Sequence, residues 1–232
     1  LARQYYQRGA ALGNAECQYD LARCLLEVDP PDKDMALFWF RQALTNGYKH
    51  ADCNGAIGYV LYCKGAMAEA VAHYRVAAEA GESYSQCNLG YMYCSGQGVS
   101  TDHVQAVYWF RKAAEQGDAQ AHCNLAEHYE SGDGVTQDLA KAIVHYTAAA
   151  QRDGHAKAIG ALERLAKSGR ATAAHSLATV YLNGHAQHHD CVSGIRWHME
   201  AARLGDQNSI NALQTMRRDS RYPQQAFTLA ER

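Results

Sequence analysis

Three prolines in 232 residues, and no run in which Val, Ile or Thr alternates with polar side chains, leave this sequence without the marks of a β-protein. Alanine is abundant instead, and it is the best helix former. Long apolar runs are missing too: no stretch approaches the roughly 18 uncharged apolar residues of a membrane span. The opening LARQYYQRGA has neither the apolar run nor the small-residue cleavage pattern of a signal peptide. It starts without methionine and inside a repeat, which fits a mature or trimmed piece of something longer. Neither sign of charge dominates, with Lys+Arg 22 against Asp+Glu 24, a formal charge of −2 and a pI of about 6.7. No general field draws phosphate or anionic lipid, so neither nucleic acid nor membrane insertion is expected.

Catalytic signatures are equally sparse. The loops SGQGV and SGDGV carry paired glycines but lack the Lys-Ser/Thr and the preceding strand of a phosphate-binding loop. No C-x-x-C or H-E-x-x-H frame, carboxylate dyad or Ser-His-Asp set stands out. No N-x-S/T sequon points to a secretory setting.

What is present is repetition. Residues 85–118 and 121–154 share 12 identities over 34 ungapped positions. The identities carry physical roles: Leu89 and Tyr93 lie on one helix face, Gly96 and Gly98 punctuate a loop, Asp102 suits an N-cap, and Ala106, Ala113 and Ala114 permit close helix contact. The unit reads as helix, loop, helix. Its second helix recurs as ALFWFRQAL, AVAHYRVAA, AVYWFRKAA, AIVHYTAAA and GIRWHMEAA, with the aromatic or His position at Phe40, Tyr74, Phe110, Tyr146 and His198. Intervals of 34, 36 and 36 residues precede a last one of 52, so about sixteen residues are inserted there, and AKAIGALERLAKSG supplies an extra amphipathic helix.

The expected organisation is therefore an orphan second helix at 1–13, repeats at 14–48, 49–82, 83–118 and 119–154, an inserted helix at 155–170, a repeat at 171–206, and a capping helix with a mobile tail at 207–232. Hairpins whose apolar faces cannot be buried alone must stack, which predicts an all-α solenoid of about five helix pairs.

The pattern A-x-x-x-L-G-x-x-Y-x-x-G-x-G-V-x-x-D, followed by K-A-x-x-W-Y-x-K-A-A-x-x-G, resembles the Sel-one-like repeat family, relatives of the tetratricopeptide repeats. The match is close at 83–118 and 119–154. The unit at 49–82 lacks the G-x-G-V loop, and the unit at 14–48 replaces it with EVDPPDKD, in which Asp32 keeps the capping position. The resemblance implies a right-handed superhelix with first helices on its inner face. It also implies adaptor roles, known for bacterial relatives in signalling, virulence and immunity to toxins. Some cysteine-rich relatives cross-link each repeat through a thiol near the end of the second helix, where this chain has Ala113 and Ala114.

Cys17, Cys53, Cys87 and Cys123 fall in one register at intervals of 36, 34 and 36 residues, with His175 in that place in the last unit. On its helix Cys87 is about 200° round from Leu89, in an inward stripe with Tyr84, Tyr91 and Cys94. Equivalent atoms of neighbouring helices are about 8–10 Å apart, too far for a disulfide or a shared zinc ion. Eight reduced, small, partly buried thiols fit a reducing compartment, so a cytoplasmic location is expected. Asn54, Asn88 and Asn124 follow the ladder cysteines, with Gln18 and Ser176 in the outer units. Such a row can hydrogen-bond the peptide groups of an extended segment, or it can stitch repeats together.

The expected groove contacts are thus Asn54, Asn88, Asn124, Cys53, Cys87, Cys123, Tyr84, Tyr91, Glu127 and His175, and the expected partner is a protein or peptide. Trp39, Trp109 and Trp197 read as packing residues. The loop containing His185, His188, His189, Asp190 and Cys191 is the one dense set of metal-ligand types. Asp190 already serves there as a helix cap, so no metal or other cofactor is expected. A cysteine-rich hydrolase of cell-wall-type substrates and a scaffold segment of a larger protein are the rival readings.

Overall fold

The computed structural model describes residues 2–183, 190–219, 221–222 and 224–230, and among these the secondary structure is helical throughout, with fourteen helices and no strand. The chain divides into two compact units, Leu1–Gln116 and Gly117–Arg232. In the first, α1 (Ala2–Ala11) precedes three hairpins: α2 (Ala15–Leu26) with α3 (Lys33–Thr45), α4 (His50–Cys63) with α5 (Met67–Glu79), and α6 (Ser83–Ser95) with α7 (His103–Glu115). The second pairs α8 (Ala119–Ser131) with α9 (Leu139–Asp153), adds α10 (Ala156–Lys167), and pairs α11 (Ala171–Asn183) with α12 (Cys191–Arg203). Two more helices close it, α13 (Gln207–Met216) and α14 (Gln224–Ala230).

Four of the five described hairpins are closed in the same way, and in the fifth, α4–α5, Ala66 N–H donates to Leu61 O at 3.0 Å with no side-chain cap. In the four, the cap aspartate of the second helix donates its backbone N–H to a carbonyl late in the first helix: Asp32 to Leu25 at 2.9 Å, Asp102 to Tyr93 at 2.9 Å, Asp138 to Tyr129 at 2.8 Å and Asp190 to Tyr181 at 3.0 Å. The same side chains accept from Met35, Gln105, Lys141 and Val192 N–H, satisfying donors that a helix start leaves without partners. EVDPPDKD, despite its departure from the G-x-G-V pattern, reaches this closure through Asp32.

Inside each hairpin the aromatic of the second helix is the core. Phe40, Tyr74, Phe110 and Tyr146 are fully buried, each contributing roughly 2–3 kcal/mol through the apolar surface removed from water. Close approach accompanies this: a Cβ on Gly90 would come within 2.8 Å of the Phe110 ring and 3.2 Å of the Ala106 carbonyl. Burial drives the Tyr74 and Tyr146 hydroxyls upward in pKa, and Tyr146 donates to Glu130 at 2.9 Å.

A left-handed glycine follows the second helices: Gly13, Gly47, Gly81, Gly117, Gly169 and Gly205 all have φ between 81° and 95°, a conformation glycine adopts without steric penalty. Counting from these glycines corrects the sequence register. Cys87, Cys123 and His175 each lie six residues beyond one; in α2 that place belongs to Tyr19, with Cys17 two residues early. α4 enters two residues later, since Gly58 faces the Tyr74 ring as Gly90 faces that of Phe110, so Gly55 holds the place of Cys87, and Cys53 and Asn54 hold those of Ser85 and Gln86. Hydrogen bonds agree. Gln18 donates to Ala10 O at 3.2 Å and accepts from Asn46 at 2.9 Å, as Gln86 donates to Ala78 O at 3.0 Å and accepts from Gln116 at 2.8 Å. Gln18 therefore corresponds to Gln86, and Asp20, not Gln18, stands in the asparagine row. Cys17 and Cys53 share one place, that of Ser85, and Cys87 and Cys123 another, so the four thiols do not form a single row.

The tail is also corrected. Residues 224–230 form α14, whose Ala226, Phe227 and Ala230 are buried with Ile195 of α12, and the Arg217 guanidinium lies 5.5 Å from the Phe227 ring centre. Beneath α13 sits a polar cluster. Ser209 Oγ, fully buried, lies 2.9 Å from His175 Nδ1 and 3.0 Å from His198 Nδ1, while Asp206 Oδ2 is 3.2 Å from His175 Nδ1 and caps Ser209 N–H. Burial first, then the neighbouring His175, hold His198 down to about 4, and Asp206 opposes this only in part.

Two predictions follow from these buried polar groups. Gln86→Ala removes one of two hydrogen bonds at the Ala78 carbonyl and one of two at the Gln116 amide, each of which keeps Gly81 as a partner, so the urea midpoint should fall by the equivalent of about 1 kcal/mol, while the exposed Gln105→Ala should leave it unmoved. His198 is neutral when folded and binds a proton more readily when unfolded. Its stabilising effect is complete above an unfolded pKa of about 6.5 and is lost as pH falls from there toward 4, up to about 3 kcal/mol. Urea titrations at pH 7 and pH 5 should show that loss in the parent chain and a smaller one in His198→Phe, which places at 198 the residue type of Phe40 and Phe110.

Candidate functional site

Within Leu1–Gln116 the first helices α2, α4 and α6 share a face that carries a pocket of about 350 Å³. Gly55 and Ala56 of α4 form a floor without side-chain bulk, and the walls are rings: Tyr19, Tyr59, Tyr84 and, from α3, Phe40. Tyr19 is fixed by stacking on Tyr48 at 4.4 Å and by an edge contact to Phe40 at 5.2 Å. Burial, with Asp52 adding to it, pushes its hydroxyl up to about 12. Tyr59 and Tyr84 meet edge to face at 6.5 Å and remain 40% and 48% exposed. Three charged groups line the same pocket: Arg23, Asp52 and Glu82. Glu82 is held in place as the cap of α6, accepting from Tyr84 and Ser85 N–H at 3.0 and 2.6 Å. Ser85 Oγ, fully buried, has no hydrogen-bond partner among the described residues, and it would lie 3.0 Å from a Cβ placed on Gly55.

The expected contact residues separate into three groups. Tyr84 and Tyr91 are exposed, 48% and 44%, and Tyr84 lines the pocket. Cys53 and Cys123 are completely buried and Cys87 nearly so, which corrects their assignment as groove contacts: a side chain with no accessible surface cannot touch a partner. Asn54 is corrected for the same reason. Only 3% exposed, it donates to His50 O at 2.7 Å and its Oδ1 lies 2.8 Å from His73 Nδ1 of α5, so the carboxamide ties α4 to α5.

The remaining four are engaged within the chain. Asn88 donates to Tyr84 O at 2.8 Å, and Asn124 Oδ1 accepts from Gln120 at 2.8 Å; both are half-buried. Glu127 pairs with Lys157 at 2.5 Å, and beside it Glu130 pairs with Arg164 at 2.7 Å, so the inserted α10 fastens onto the acidic side of α8. His175 belongs to the polar cluster under α13. Of the possible metal-ligand loop, His185, His188 and His189 lie outside the described residues, and Asp190 is the cap of α12.

Sequence reasoning missed Tyr19, Tyr59, Arg23 and Asp52. Tyr19 was hidden by the two-residue slip in α2. Tyr59 occupies the place of Tyr91, since Gly58 faces the Tyr74 ring as Gly90 faces that of Phe110, and only the neighbouring glycines of HADCNGAIGYVLYC hinted that this helix has an open side. None of the eight thiols is paired in a disulfide. Burial pushes Cys53 up to about 12 and Cys123 up to about 11, the opposite of the shift a reactive cysteine needs, and Cys94 lies beside His103, with their ligand atoms within 4.8 Å of one another.

Family comparison agrees with this architecture. The Sel1 repeat model matches residues 1–14, 15–48, 57–82, 83–118, 119–154 and 171–206. Similar solved structures include c5321, a protective antigen present in uropathogenic Escherichia coli strains and displaying an SLR fold, at 26% identity and a TM-score of 0.60. That alignment covers 92% of this chain and 51% of the E. coli protein, so this chain spans about half the length of that relative. A Sel1 repeat protein from Oxalobacter formigenes is 25% identical with a TM-score of 0.54, over 92% of this chain and 68% of the other. A protein from Klebsiella pneumoniae subsp. pneumoniae described as a sel1 repeat protein shares the fold alone, at 17% identity and a TM-score of 0.50, over 92% and 98%. No curated protein matches the chain. No described helix is long and apolar enough to cross a membrane. With matched segments running over most of its length, the chain belongs to the Sel1 repeat family, α-solenoids that generally mediate protein interactions.

Proposed function

We propose that this chain is an interaction module whose first-helix face in Leu1–Gln116 takes a segment of another protein, with one long side chain seated in the Tyr19–Tyr59–Tyr84 pocket. The observation that carries the reading is the pocket itself: exposed rings over a floor of Gly55 and Ala56, rimmed by Asp52 and Glu82. Rings left in water next to an unfilled floor are the surface from which binding energy is drawn, and tyrosine is among the residues that most often dominate such interfaces.

The chemistry selects the anchor. Tyrosine faces attract a cation, and a long basic side chain can lay its aliphatic stem along them while its head meets a carboxylate. Asp52 and Glu82 line the pocket with Arg23, and Asp52 also faces Lys49 at 3.8 Å, so an arginine or lysine of the partner would meet Glu82 or take the place of Lys49 at Asp52, and an acidic neighbour of that residue can pair with Arg23. A hydrolytic role draws no support from the pocket, where no cysteine is among the described lining residues, and burial holds Cys53 and Cys123 protonated. A bacterial adaptor or a scaffold segment of a longer protein both accord with such a module.

Panning a random peptide library on the intact chain tests this. Peptides with a shared Arg or Lys should emerge, and Tyr84→Ala should weaken them by about 2 kcal/mol, close to 30-fold in Kd, in a fluorescence titration. Peptides without a basic residue, or binding indifferent to both Tyr84→Ala and Tyr59→Ala, would contradict the proposal.

A further inference from the structure

One pair of side chains lies outside this reading. His122 of α8 and His145 of α9 bring their Nδ1 atoms to 3.0 Å. Both rings are half-buried, their centres are 5.2 Å apart, and their planes are inclined by 36°. Tyr129 stacks on His145 at 5.6 Å with planes within 4° of parallel, which holds that imidazole at a defined angle on α9. The nearest cation on the same helix is Lys141, which sits 5.5 Å from the Tyr129 ring centre and is paired with Asp138 at 3.3 Å.

Counting from Gly81 and Gly117, the place of His122 is held in the preceding repeat by Gln86, and the place of His145 by Trp109. In α5 the place of His145 is again a histidine, His73, whose partner is Asn54; in α8 and α9 two imidazoles meet across the hairpin. Two neutral imidazoles can share one hydrogen bond at this distance, but the same spacing fits a chelate. An ion about 2.1 Å from each nitrogen would see them at an angle of roughly 90°, the cis angle of a tetragonal site, and imidazole suits Cu and Ni. Water completes the shell.

We propose that His122 and His145 form a bidentate site for a divalent transition-metal ion, Cu²⁺ or Ni²⁺ before Zn²⁺, whose preferred tetrahedral edge of about 3.3 Å is longer. Binding requires both imidazoles deprotonated, so it weakens as pH falls through the histidine range. The site lies wholly within Gly117–Arg232 and stands independently of the peptide pocket.

Other histidines and thiols of the chain also bind metals, so the test must resolve the site. Substoichiometric Cu²⁺ added to the intact chain should broaden the ring resonances of His122 and His145 before those of other histidines. His122→Gln, which installs the residue type the preceding repeat uses, should bind one equivalent of Ni²⁺ fewer in calorimetry, or bind it at least tenfold more weakly. His145→Trp should do the same. Copper broadening that bypasses both rings, or variant isotherms that superimpose on the parent's, would overturn the assignment. If either variant folds poorly, the broadening on the unaltered chain decides alone.

Discussion

Nearly every assignment in this chain depends on a glycine in the left-handed region at the end of a second helix. That residue stops the helix, turns the chain and sets the number of residues to the next first helix. Six positions on, the side chain enters the junction between successive helices, and its burial follows from that geometry rather than from its chemistry. Cys87 and Cys123 are small enough to fit there, and in α4 the place falls to Gly55. At that place in α2, Tyr19 opens a pocket instead, and in α11 His175 becomes part of a polar cluster.

The same constraint explains what the sequence revealed. Period, helix pairs, cap aspartates and buried aromatics are local or strictly repeating features, so the all-α solenoid class could be read from spacing alone. A helical wheel gives the angle of a side chain but not what lies over it. Cys53 and Asn54 were expected on an inner wall, yet both are buried, and Asn54 meets His73 of its own hairpin partner α5, nineteen residues on. Glu127 was expected on an open wall, and the inserted α10 supplies Lys157 to meet it. The slip at Cys17 shows the hazard of aligning on a conspicuous residue type. Gln18 and Gln86, with parallel hydrogen bonds to Ala10 and Ala78, hold the true register but look unremarkable in sequence.

What the repeat leaves uncovered is where function is to be sought. In Leu1–Gln116 this is a set of tyrosines over a glycine and alanine floor, where a regular repeat would place bulk. In Gly117–Arg232 the comparable acidic face is occupied by the chain's own Lys157 and Arg164, so the two units differ in what they can offer a partner. Membership of the Sel1 family accords with an interaction role, and the half-length coverage of the E. coli antigen leaves room for a longer assembly around this segment.

The most direct test of this account is the structure of the chain with a library-selected basic peptide bound, or equivalently the aromatic chemical shifts of its tyrosines during titration. The account predicts an Arg or Lys side chain between Tyr59 and Tyr84 with its head at Glu82 or Asp52, and shifts concentrated on those rings and Tyr19. A peptide seated elsewhere, with these three rings unchanged, would contradict it.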